Sequence, residues 1–229
     1  MAAITLGELG SVLVGLFGRA GLVLVAGLAL ALPALVAAMV WRFGAERSRR
    51  ASLRTADGLA YHHAAYHAPN HTWLLPRGSG ELAVGIDDLA RRILPSATSV
   101  DLPRPGSDVH RGDPIAVIRA GKRTIQIGAP VDGTIVAVNA SVRRNPELVR
   151  DASYGAGWLF TIAPADGGYM RFPHGDEAAE WMRGERRRLA RFLEGELGIA
   201  AADGGELPAP TPALLGEESW KRLSAAFLR

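Results

Sequence analysis

From Ala20 to Trp41 the chain carries no charged side chain, a run of 22 residues that constrains its folding more than any other feature. At 1.5 Å per residue a helix of this length reaches about 33 Å, enough to cross a hydrocarbon core of about 30 Å. A helix buried in a globular core rarely runs so far without a polar face. A cleaved signal peptide has a shorter apolar region, with its charge ahead of it. Here the charge follows: Arg42, Arg47, Arg49, Arg50 and Arg54, with only Glu46 against them. The run is therefore read as one transmembrane helix, about residues 20–41, within an N-terminal segment 1–43. Pro33 is tolerated in such a helix, and Trp41 and Phe43 stand where interfacial aromatics belong. The arginines behind the helix predict a single-pass protein of the inner or plasma membrane, with its C-terminal domain in the cytoplasm. Residues 1–19 are apolar and Gly-rich, and their role is left open.

The basic patch also explains the overall charge. Residues 42–54 hold a net +4 out of +3 for the 229-residue chain, so everything else sums to −1. A nucleic-acid footprint requires basic residues gathered on the folded module, and no nucleic-acid partner is expected. The absence of cysteine excludes a disulfide framework, a thiol nucleophile and Cys-ligated zinc or iron–sulfur sites. No phosphate-binding Gly-rich loop, HExxH motif or nucleophile–base pairing is present, so the chain is read as non-catalytic.

After a basic linker over 44–60, the pattern turns to short apolar runs separated by turn residues. Thr72–Leu75 and Glu81–Ile86 read as strands around Pro76-Arg77-Gly78-Ser79-Gly80, and Asp87–Leu94 as a short helix closed by Pro95. Further runs lie between Pro105-Gly106, Arg111-Gly112-Asp113, Ala120-Gly121 and Asp132-Gly133. Many short strands at this spacing predict a compact β-barrel or sandwich.

Eight motifs in order along residues 71–164 resemble the glycine-cleavage H-protein family of the lipoyl/biotinyl-domain fold. They are His71-Thr72-Trp73; Val84-Gly85-Ile86-Asp87-Asp88; Val100-Asp101-Leu102-Pro103 with Gly106; Gly112-Asp113-Pro114; Ala129-Pro130-Val131-Asp132-Gly133; Val136-Ala137-Val138-Asn139; Asn145-Pro146-Glu147-Leu148; and Tyr154-Gly155-Ala156-Gly157-Trp158-Leu159. The resemblance implies a mainly β, lipoyl-domain-like barrel-sandwich hybrid over 61–166. It also implies a lipoyl-bearing lysine at a hairpin tip, eight residues before the proline of Pro-Val-x-Gly. Lys122 stands eight residues before Pro130, and the only other lysine is Lys221 in the tail. The family pattern has a glutamate three residues before that lysine. This chain has Arg119 there, and Arg123 directly after the lysine. A modifying enzyme that reads charge at the hairpin meets a reversed sign. The reading is therefore an unmodified domain without a cofactor, and the alternative is lipoate on Lys122.

His62, His63, His67 and His71 are spaced so that three could share a helical face, which makes His63 and His67 weak candidates for metal ligands. Pro69 and Asn70 interrupt such a helix, so the segment is read as ordinary surface and no metal is expected.

The tail reads as an amphipathic helix within 167–200, a Gly/Pro linker over 201–213, and a short docking helix over 214–229. Trp181 on the first helix, and Trp220, Leu223 and Phe227 on the second, are the candidate partner-docking residues. Together these readings describe a membrane-anchored accessory or scaffold subunit of a membrane-bound complex, a redox complex being one such reading. Its partners would be the membrane and the other subunits. The alternative is a membrane-tethered lipoyl carrier shuttling aminomethyl groups or electrons through Lys122.

Overall fold

The computed structural model describes residues 31–33, 35–39, 52–197 and 215–228. It divides into two units, residues 1–51 and 52–229. In the first, residues 31–33 and 35–39 are helical. The rest of the expected span 20–41, residues 1–19 and the linker 201–213 lie outside the described residues. Among the described residues no helix is long and apolar enough to cross a membrane.

In the second unit all strand pairing is antiparallel. A six-stranded sheet runs in the order β3 (Tyr66–His67), β4 (Thr72–Pro76), β5 (Leu82–Ile86), β11 (Phe160–Pro164), β10 (Gly133–Val138), β7 (Asp108–Val109). A three-stranded sheet runs β6 (Ser99–Asp101), β8 (Pro114–Ala120), β9 (Arg123–Gly128). The short apolar runs that suggested strands here owe their burial to packing: Ala116, Ile118, Ala120, Ile125 and Ile127 point inward, as period-two geometry requires. Ala116, Ile118, Ile125 and Ile127 join Leu74, Leu82, Val84, Ile86, Ile135, Phe160 and Ile162 in one core.

One expected boundary moves. The linker placed over 44–60 ends earlier, because β1 (Leu53–Ala56) and β2 (Leu59–His62) pair as a hairpin inside it. Leu59 and Tyr61 bury their side chains in the core, which gives this stretch a reason to order.

The short helix α1 (Asp88–Ile93) is capped by Asp87, whose side chain accepts from the Ala90 amide at 2.9 Å. Helices α2 (Ala140–Arg144) and α3 (Leu148–Asp151) follow β10. The Tyr-Gly-x-Gly-Trp-Leu motif closes this region because Gly157 passes close to the chain. A Cβ there would lie 2.1 Å from the Leu148 carbonyl oxygen and 2.9 Å from that of Ala152, so only glycine fits.

Two helices complete the unit: α4 (Gly175–Leu197) and α5 (Glu217–Phe227). On α4, Ala178, Met182, Leu189 and Leu193 bury one face against the core. Its arginines meet acids: Arg183 pairs with Glu180, Arg188 with Glu185, and Arg186 lies 3.9 Å from Asp57.

Candidate functional site

Lys122 occupies the tip of the β8–β9 hairpin. Ala120 and Arg123 are paired across the ladder, so Gly121 and Lys122 are the two loop residues. Gly121 has φ +61° while Lys122 keeps a negative φ. Glycine first in a two-residue loop is the type II′ arrangement that matches strand twist. The turn thus confines the unusual backbone conformation to glycine and leaves the lysine unstrained and exposed.

Both arginines that flank the lysine are engaged. Arg119 on β8 forms an ion pair with Asp101 on the neighbouring strand β6. Arg123 donates from Nη2 to the Leu215 carbonyl at 2.8 Å, and its guanidinium lies 4.7 Å from the centroid of the Trp220 ring. Asp101 therefore compensates the sign reversal at position 119, and Arg123 is turned toward the tail.

A second polar cluster sits deep beneath the tail helices. The histidine segment expected at the surface is largely interior: His62, His67 and His71 are buried, and His63 is half-buried. Burial follows from β2 and β3, which carry His62 and His67 into the fold, where Tyr154 lies beside both rings and Trp181 of α4 covers His67. His71, at φ +57°, places Nδ1 2.8 Å from Asp87 and Nε2 3.3 Å from Glu185. Its ring packs against Trp181 at 5.2 Å and Phe227 at 5.8 Å. Burial alone would depress its pKa, but Asp87 and Glu185 outweigh it and push the value up to about 9. His67 is the reverse case. Its ring lies among Tyr61, Tyr154 and Trp181, and burial outweighs the nearby Asp87 charge and a backbone contact at His62 to push its pKa down to about 4.

His63 and His67, the weak metal candidates, are not brought into a ligand set. Among the described residues no group of three His, Cys, Asp or Glu side chains is arranged to hold a metal ion. The candidate docking residues Trp220, Leu223 and Phe227 are buried against this chain's own unit, and Trp181 packs on His67 and His71. Sequence reasoning missed Asp87 and Glu185 as site residues, and missed the hold of Leu215 and Trp220 on Arg123. Asp87 stood at the start of the expected helix, but its contact with His71 spans 16 residues.

A family model described as "Glycine cleavage H-protein" matches residues 65–180 of this chain. The chain belongs to the glycine cleavage H-protein family. The glycine cleavage system H protein of Aeromonas hydrophila is 42% identical over 104 residues, covering 45% of this chain and 81% of the relative. Those of Aeromonas salmonicida (41% over 104 residues, 45% and 81%) and Pseudoalteromonas atlantica (41% over 100 residues, 44% and 78%) are similar. Among solved structures, the crystal structure of a glycine cleavage system H protein from Mycobacterium marinum is 26% identical. It covers 54% of this chain and 99% of that one, with a TM-score of 0.47. Members of the H-protein family are carriers rather than enzymes and hold lipoate on a lysine. The expectation that no cofactor is attached therefore finds no support in the relatives. Its electrostatic premise is also weakened, because Arg119 is paired and Arg123 is turned away.

Lys122 fits an amide-linked arm. It offers a primary amine, it is exposed, and beyond the two chain neighbours nothing lies within 4 Å of a Cβ placed on the adjoining Gly121.

Proposed function

We propose that this protein is a membrane-anchored carrier of the H-protein type, with lipoate attached to Lys122, serving partner enzymes of a membrane-bound complex. One observation carries the attachment site: the barrel's single lysine is presented alone at the tip of a two-residue turn between two ladder-paired strands. The paired strands hold the base of the turn while the side chain extends into solvent, the arrangement an arm needs to reach separate active sites. When attached, lipoate supplies a dithiolane that accepts an aminomethyl group or electrons. The chain's own part is to fix the anchor point and to keep Arg119 neutralised by Asp101.

The anchoring rests on the uncharged run 20–41 and the arginines behind it. Leu32, Leu35, Val36 and Met39 on the helical stretch there are each more than half exposed, as lipid-facing side chains would be. Alkaline washing of membranes tests this: a retained protein fits, and release into the wash removes the anchor. A reporter fused after Arg229 tests orientation, with activity expected only in the cytoplasm.

The attachment is tested by the mass of the Lys122 peptide from protein isolated from its native source. A lipoyl adduct is expected. An unmodified lysine, in a host whose other lipoyl proteins are modified, favours the second reading: an accessory or scaffold subunit that keeps the fold without the arm. The engagement of Arg123 by the tail is the observation on that side.

A further inference from the structure

The last helix of the chain returns to the residue next to Lys122. The two contacts of Arg123 place Leu215 and Trp220 along the β9 side of the lysine turn. On the β6 side, Arg119 meets only a strand of its own sheet in its pairing with Asp101. The tail's hold extends well beyond this point. Trp220, Leu223, Phe227 and Leu228 are buried. Arg188 donates to the Ala226 carbonyl at 2.8 Å and lies 4.5 Å from the Phe227 ring centroid, and Arg222 meets Glu196 at 2.6 Å. Yet α5 has only 11 residues, too few for a stable isolated helix in water, so it depends on the surface beneath it. The 17 residues between Leu197 and Leu215 join it covalently to α4, which gives it a high local concentration.

We infer that α5 is an intramolecular screen on the Lys122 hairpin. It leaves the amine open to small molecules but narrows the approach of a macromolecule to the β6 side of the turn. This rests on the carrier reading of Lys122. A small reagent needs only the exposed amine. A protein partner covers on the order of 800 Å² on each side, so its footprint around a hairpin tip must extend over one flank or both, and on the β9 flank it meets α5. An acylating enzyme that fits around the docked helix can use the lysine, and one that needs both flanks is excluded. The reaction screened is amide formation. The neutral Nζ of Lys122 attacks the acyl carbon of enzyme-bound lipoyl-adenylate, made from lipoate and ATP. The C–N bond forms, the acyl–phosphate bond breaks, AMP leaves with the electron pair, and the amine proton passes to solvent.

The test compares the full chain in detergent with a chain ending at Ala213. A lipoate–protein ligase with ATP and lipoate serves as the macromolecular probe, and an N-hydroxysuccinimide acetyl ester as the small one. Both are read as mass added at Lys122. The shortened chain is expected to be lipoylated with a several-fold higher kcat/KM and acetylated at an unchanged rate. Arg123→Gln, which removes both contacts without shortening the chain, should shift ligation the same way and serves if the truncated chain does not fold. Hydrogen exchange at residues 123–125 should rise in both variants. Ligation equal to or slower than that of the full chain overturns the screen and leaves the carrier reading standing. A faster acetylation also overturns it, because α5 would then be covering the amine itself. Failure of the ligase on every chain, with a bare lysine in the native source, overturns the carrier reading and the screen with it.

Discussion

Nδ1 of His71 lies 2.8 Å from a carboxylate oxygen of Asp87, with neither side chain exposed to solvent. The pair joins the strand system to α1, since Asp87 also caps that helix. On the other side of the ring, Glu185 extends the chain of contacts to Arg188, and Arg188 reaches α5. The barrel and both tail helices thus meet around one buried imidazolium. Removing one partner of a buried charged pair leaves the other uncompensated. Asp87→Asn should destabilise the fold by about 3–5 kcal/mol, read as a lower midpoint in denaturant unfolding followed by circular dichroism. An unchanged midpoint would mean that the pair contributes nothing to stability.

The two buried histidines predict a stability maximum in pH. His71, raised to about 9, contributes stability that is complete below the unfolded value of about 6.5 and is lost as pH rises through about 9. His67, lowered to about 4, binds its proton more readily in the unfolded chain, so its contribution is complete above about 6.5 and is lost as pH falls toward about 4. Stability should therefore peak near neutrality and fall on both sides. His71→Gln should flatten the alkaline limb and His67→Phe the acid limb. Urea midpoints across the pH range check this, and identical limbs in wild type and variants would rule out both assignments.

Gly157→Ala should be among the most damaging single-methyl additions in the barrel. Its Cβ would lie 2.1 Å from the Leu148 carbonyl oxygen, a backbone atom that cannot rotate away. Overpacking of this kind costs typically 1–3 kcal/mol or more. Gly184→Ala, where nothing lies within 4 Å, should be neutral or stabilising, because alanine favours helix. Thermal melts of the two variants should separate clearly, and similar melting temperatures would refute the close approach at Gly157.

Leu223→Ala should loosen α5 without unfolding the barrel. Leu223 is fully buried, and truncating such a side chain costs about 2–5 kcal/mol. That rivals what a short tethered helix gains by docking. Limited proteolysis should cut the tail of the variant well before that of the wild type while the fragment from Ser52 to Leu197 persists. Equal cleavage rates would show the helix held by other contacts.

The family and the barrel were legible in the sequence because their signals are local. Asp132-Gly133, Gly121-Lys122 and the Tyr-Gly-x-Gly-Trp-Leu motif specify turns and close approaches through their own backbone requirements, and the period-two run from Ala116 to Ile127 points inward wherever its sheet packs. The uncharged run 20–41 and the eight-residue spacing from Lys122 to Pro130 belong to the same class of evidence. What a side chain meets across the fold was not legible. The sign reversal at Arg119 looked prohibitive because Asp101, 18 residues away, could not be placed beside it. The His62–His71 segment read as surface because its cover, Trp181 and Glu185, arrives more than 100 residues later. Trp220 and Phe227 read as anchors seeking a partner, and only the packed structure placed them against Arg123 and His71 of the same chain. Local sequence determined the turns, the strands and the position of the lysine, since those depend on backbone preference and hydrophobic period. Tertiary structure alone decided the charge around that lysine and the burial of the histidines, since those depend on which distant segments come to lie against them.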